Sequence, residues 1–102
     1  MNLDDEIAAC IADGSHAPDA ESVKHARAFL AALPADLPAP DVGIDSTDCI
    51  DFEWYIGPRQ TISISTEPDG SFCWASLNGT DGRHGDSTSV DEMVAEIRKV
   101  LA

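Results

Sequence analysis

The stretch TISISTEPDGSFCWASLN, residues 61–78, decides how this chain folds. Ile62 and Ile64 alternate with Ser63 and Ser65, the two-residue period of a strand with one buried face. EPDGS follows, with Pro68 and Asp69 suited to the first two turn positions and Gly70 to the left-handed one. A three-residue loop of this kind sets Glu67 opposite Ser71. Counting back pairs Thr66 with Phe72 and Ile64 with Trp74, so Ile62, Ile64, Phe72 and Trp74 share one face.

The same period runs through DSTDCIDFEWY, residues 45–55, where Ile50, Phe52 and Trp54 alternate with Asp51 and Glu53. The apolar set belongs with the hairpin's buried face, which turns Asp51, Glu53, Ser63, Ser65 and Cys73 the other way. Strands are expected at about 41–46, 48–55, 60–66 and 71–78. Upstream, Asn2 suits the cap of a short helix, with Asp4, Asp5 and Glu6 in its first turn and Gly14 ending it. A second helix is expected from Pro18 to Leu33, with Val23, Ala26, Leu30 and Leu33 inward and Phe29 widening that face. PADLPAP, residues 34–40, crosses from helix to sheet. After a flexible glycine-rich loop, NGTDGRHGD, Ser89 and Glu92 form a capping box for a last helix that buries Val90, Met93, Val94, Ile97, Val100 and Leu101. The expected fold is α+β: one domain over 1–102, an antiparallel meander of three to four strands with N-terminal helices and a C-terminal helix packed on one face. Its core should hold Leu30, Phe52, Trp54, Ile62, Ile64, Phe72, Trp74, Ile97 and Leu101.

Charge narrows the function. Nineteen acids against six bases give a net charge of −13. Residues 1–23 and 28–58 each hold six acids and no Lys or Arg. Such a field repels phosphate, so neither nucleic acid nor an anionic membrane is an expected partner, whereas a basic protein surface is. No apolar run approaches the ~20 residues of a membrane span, and the acidic N-terminus does not resemble an export signal. Three cysteines at irregular spacing, Cys10, Cys49 and Cys73, argue for reduced thiols and a cytoplasmic location.

No catalytic site, metal or cofactor is expected. The chain holds no GxSxG, HExxH or Walker A sequence. His16, His25 and His84 fit no ligand spacing, and His25 reads as a helix-surface residue. Cys49 and Cys73 fall on the open face by parity, where no cation stands ready to stabilise a thiolate, and read as small, half-buried side chains. Asp51 and Glu53 are a carboxylate pair without a pocket to exclude water.

From Glu21 onward, ESVKHARAFLAALPADLPAPDV, IDFEWY, ISISTEPDGSFCWASL and RHG resemble a family of small bacterial proteins. These share a helix, an L-P-x-x-L-P-x-P-x-V connection, an EW strand and a PDG hairpin. The resemblance covers about four-fifths of the chain, excludes residues 1–14 and the abundance of acids, and carries no catalytic residues. It implies a setting on mobile genetic elements. Together with the charge it points to an inhibitor of the anti-CRISPR or anti-restriction type, monomeric or homodimeric, that occupies a basic nucleic-acid-binding surface by mimicry. The expected contact residues are Asp45, Asp48, Asp51, Glu53, Glu67 and Asp69. The alternative is an antitoxin, immunity protein or accessory subunit that binds a protein without mimicry.

Overall fold

The structure, a computed structural model, describes residues 2–102. Helices α1 (Leu3–Ala12) and α2 (Ala20–Ala32) precede strands β1 (Asp41–Ile44), β2 (Ile50–Gly57), β3 (Gln60–Thr66), β4 (Phe72–Asn78) and β5 (Asp81–Ser87), and α3 (Val90–Leu101) follows. The strands form one antiparallel sheet in sequence order, β1-β2-β3-β4-β5. The α+β meander is as expected, with one strand more than the sequence suggested.

That strand is the correction. NGTDGRHGD is not a loop: Gly79 and Thr80 form a two-residue turn, Gly79 at a φ of 68°, and Asp81–Ser87 pairs along the whole of β4. Gly79 at the first central position of the turn is a hairpin signal that the glycines and charges downstream obscured. The turn is also tied sideways, since the Gly79 N–H donates to the Arg59 carbonyl at 2.7 Å.

The 62–77 hairpin has the expected register, with Thr66 opposite Phe72 and Ile64 opposite Trp74. The Gly70 N–H donates to the Glu67 carbonyl at 3.0 Å, and Gly70 takes a φ of 89°. Ile50, Phe52, Trp54, Ile62, Ile64, Phe72 and Trp74 are all buried on one face. Against them pack Leu3 and Ile7 of α1, Ala26 and Phe29 of α2, and Met93, Ile97 and Val100 of α3. Phe29 stacks obliquely on Phe52 and Phe72, with ring centroids 5.5 and 5.0 Å away.

The second helix is turned slightly from its expected orientation. Phe29, not Leu30, is its central buried residue, and Leu30 and Leu101 are only partly buried. The cause is Ser22, a fully buried polar residue. Its hydroxyl donates to the Thr66 carbonyl at 2.7 Å and accepts from the Ile50 N–H at 2.8 Å, bridging β3 and β2 where their ladder ends. Asp19 caps α2 by accepting from Glu21 and Ser22, so the helix starts at Ala20 rather than at Pro18.

Asn2 caps α1, and the chain leaves it through Gly14 at a φ of 104°. There the Ser15 N–H reaches the Cys10 carbonyl and the Gly14 N–H that of Ile11, a Schellman closure. The capping box of α3 is only half as expected. Ser89 accepts from the Glu92 N–H, but the Glu92 carboxylate takes the Ser87 hydroxyl, which in turn accepts from the Ser89 N–H.

Two stability outcomes follow. Ser22→Ala strands a buried N–H and a buried C=O and should cost about 1–3 kcal/mol in urea denaturation; an unchanged midpoint would contradict the bridge. Gly70→Val meets a positive φ and a Cβ only 3.1 Å from His25 Cε1. Such a substitution should cost roughly 1–3 kcal/mol or more by the same measurement, and a neutral result would mean another turn.

Candidate acidic sheet face

The helices cover one face of the sheet, and the other lies open. Reading across it, Asp41 stands by Glu53, then Ser63, Ala75 and His84; the next row is Gly43, Asp51, Ser65, Cys73 and Asp86. Asp45 and Glu67 extend the face at the end of β2 where Cys49 lies. Six carboxylates therefore share this surface, and the cross-strand register places no Lys or Arg on it.

The bases are elsewhere. Arg27 is paired with Asp4, Arg98 with Asp36 at 2.8 Å, and Lys99 and Arg83 with Glu96 at 2.9 and 4.0 Å. The hydrogen bond from Arg27 holds the Asp4 carboxyl below its ordinary pKa, and Arg98 does the same for Asp36. Three acids outside the open face, Asp4, Asp36 and Glu96, thus meet cations, whereas among the described residues no ion pair lies on the open face.

Of the six expected contact residues, the fold brings Asp45, Asp51, Glu53 and Glu67 onto this face and leaves Asp48 and Asp69 apart. Asp45 is also a structural acceptor. Its carboxylate takes the Thr47 hydroxyl at 2.6 Å, the Thr47 and Cys49 N–H groups at 2.8 and 3.1 Å, and the Ser65 hydroxyl at 3.0 Å. Partial burial opposes its charge, but these hydrogen bonds outweigh that and hold its pKa low. Asp48 occupies the tight turn before β2 with a φ of 63°, and its carbonyl accepts from the Asp19 N–H at 2.7 Å. Asp69 closes the hairpin turn by accepting the Ser71 hydroxyl and N–H at 2.6 and 2.9 Å, which lower its pKa. The turn it closes rests on His25, itself part-buried rather than a surface residue.

Asp41 and Asp86 were not among the expected contacts. The parity of Asp41 was readable, and Asp86 was hidden by the loop reading of its strand. Asp41, Gly43, Asp51, Glu53 and Ser63, with Val42, line a shallow concavity of about 220 Å³. Gly43 creates it, because a Cβ there would lie 2.6 Å from Asp51 Oδ1. Desolvation raises the Asp51 pKa, and the charges of Asp45 and Glu53 raise it further.

The thiols are poorly placed for chemistry. Cys49 is buried outright rather than half-buried, with Sγ 3.5 Å from Glu67 Oε2, and Cys73 is exposed on the open face. Desolvation and neighbouring carboxylates raise both pKa values, which opposes thiolate formation. A further concavity, of about 490 Å³, lies away from this face between Leu37, Pro38, Ile56 and Leu101. Its rim offers the Asp36–Arg98 pair and no nucleophile. Among the described residues no group of His, Cys, Asp and Glu is arranged to hold a metal ion, and no helix is long and apolar enough to cross a membrane. The chain matches no protein family, no curated protein and no solved structure to which it was compared.

The raised Asp51 pKa has a definite stability consequence. The folded state keeps this proton to higher pH than the unfolded chain, so the residue costs stability as pH rises from the ordinary aspartate range through the folded value. Asp51→Asn should therefore be more stable than wild type near pH 7, with the difference vanishing near pH 3. Paired urea denaturations at the two pH values check this, and a variant weaker at neutral pH would contradict it.

Proposed function

We propose that the protein is an inhibitory binding protein whose acidic sheet face occupies the nucleic-acid-binding surface of a basic bacterial defence protein, in the anti-CRISPR or anti-restriction manner. The observation that carries this reading is the segregation of charge. Asp41, Asp45, Asp51, Glu53, Glu67 and Asp86 face outward together, while four of the six bases are paired with acids outside that face. Solubility alone asks for net charge, not for one face stripped of cations. Alternate residues of an antiparallel strand stand about 6.8 Å apart, so Asp51 and Glu53 present a regular row of negative charge to a groove built for phosphates.

The mode of action is occupancy. A groove lined by Lys and Arg gains electrostatically from the carboxylates and excludes nucleic acid while they remain. No reacting group is required, which suits a face whose concavity is shallow and whose carboxylates raise the pKa values of the neighbouring thiols.

The test begins with capture of a partner from nuclease-treated bacterial lysate and its purification. The Asp51→Lys/Glu53→Lys variant should then bind at least about tenfold more weakly than wild type, a loss of about 1.4 kcal/mol. Glu6→Lys/Asp91→Lys makes the same change of net charge on exposed helix positions and should bind as wild type does. Wild-type affinity should fall as salt rises from about 50 to about 500 mM, because screening shortens the reach of exposed charges. Equal, salt-independent affinity for all three proteins would overturn the proposal.

A further inference from the structure

The two edges of the sheet are treated differently. Along β1 the Asp45 N–H donates to the Cys49 carbonyl, so Asp41 and Gly43 bond toward β2, and Val42 and Ile44 turn their backbone groups outward. Helix α1 lies against this edge, where Cys10 Sγ donates to the Val42 carbonyl at 3.6 Å. Covering an edge with a helix is a usual protection against stray pairing.

Among the described residues no helix lies along β5 in this way. The Glu67 N–H donates to Ser71, so odd residues of β4 bond toward β3 and its even residues toward β5. The register Phe72–Ser87, Trp74–Gly85, Ser76–Arg83 and Asn78–Asp81 then occupies the odd residues of β5. The N–H and C=O groups of Gly82, His84 and Asp86 point away from the sheet, and all three residues are exposed. The side chains of His84 and Asp86 belong to the acidic face.

We propose that β5 is a docking edge, onto which an extended basic segment of the partner adds as a sixth strand with alternate Lys or Arg side chains over the open face. The choice of a basic occupant rests on the acidic-face reading above. Main-chain hydrogen bonds to residues 82, 84 and 86 supply the affinity, and side chains on one face supply the selection. A Lys side chain readily crosses the ~4.8 Å between neighbouring strands to reach Asp86, which has no cation beside it among the described residues. A second copy of this chain is a poorer occupant, since it would bring −13 against −13. The glycines and charges of β5 also give self-pairing little apolar surface to bury.

The probe is a synthetic ten-residue peptide of alternating Lys and Thr, with two controls: the same peptide N-methylated at alternate residues, and an alternating Glu–Thr peptide. Binding of the Lys–Thr peptide should slow amide exchange at Gly82, His84 and Asp86 while leaving Arg83 and Gly85, already bonded to β4, little changed. His84→Pro removes one outward N–H without touching the β4 ladder, a position where an edge strand tolerates proline, and should weaken binding about tenfold or more. N-methylation should do the same against the wild-type protein, which keeps the test decisive if the proline variant does not fold. Full affinity of the methylated peptide, or no slowing at those three amides, overturns the docking edge. If Asp51→Lys/Glu53→Lys still loses its captured partner, the acidic-face function survives that failure. Equal binding of the Glu–Thr peptide overturns the basic occupant and counts against the acidic-face function as well.

Discussion

One hydroxyl group holds the two layers in register. Ser22 accepts from the Ile50 N–H and donates to the Thr66 carbonyl, while Thr66 Oγ1 donates to the Ile50 carbonyl at 2.8 Å. Both polar ends of the β2–β3 ladder are satisfied inside the core, which removes the penalty of burying them. The same contact fixes the rotation of α2, directs Phe29 between Phe52 and Phe72, and commits the helices to the apolar side of the pleat. Once that side is taken, the odd residues of β3, and those of β2 as far as the register shift after Tyr55, must face out.

The outward set is expensive in electrostatic terms, and the fold manages it unevenly. Asp45 is stabilised by four hydrogen bonds and knits the β1–β2 turn, so its charge is part of the architecture. Asp51 has Asp45 and Glu53 for neighbours and, among the described residues, no base to offset them. Gly43 leaves room for its carboxylate, since any side chain there would crowd Oδ1. A structural acid and a frustrated one thus sit within a few residues on the same surface. Strain of the second kind is relieved when an external cation arrives, which is what the proposed function requires of it.

Much of the fold was legible because β2, β3 and β4 each obey the two-residue period with large apolar side chains, and because EPDGS admits one turn geometry. Burial of Ile62, Ile64, Phe72 and Trp74 therefore followed from counting. The pattern failed where burial does not depend on apolar side chains. Ser22 is buried for its hydroxyl, which no hydropathy pattern records. β5 is held by backbone pairing, by the Arg83–Glu96 contact and by the approach of Trp74 to Gly85, whose missing side chain lets the indole lie 3.2 Å from where a Cβ would be. Its sequence reads as a loop for that reason, and Asp86 was lost with it. Asp48 and Asp69 stand outside the strand rows for a related cause: both sit in turns, where strand parity does not apply.

All four ion pairs among the described residues lie off the open face, which makes the charge distribution uneven along the sheet normal. A monopole of −13 draws the protein toward any cationic body, but it exerts no torque. The asymmetry does. Under the proposed function, the field outside a basic groove would turn the sheet toward the groove before the surfaces touch, so that a larger share of collisions arrive in a productive pose. Steering of this kind raises association rates by roughly 10- to 1000-fold over a neutral encounter. If the protein acts as proposed, by reaching a groove ahead of nucleic acid, speed of arrival counts for as much as tightness of grip.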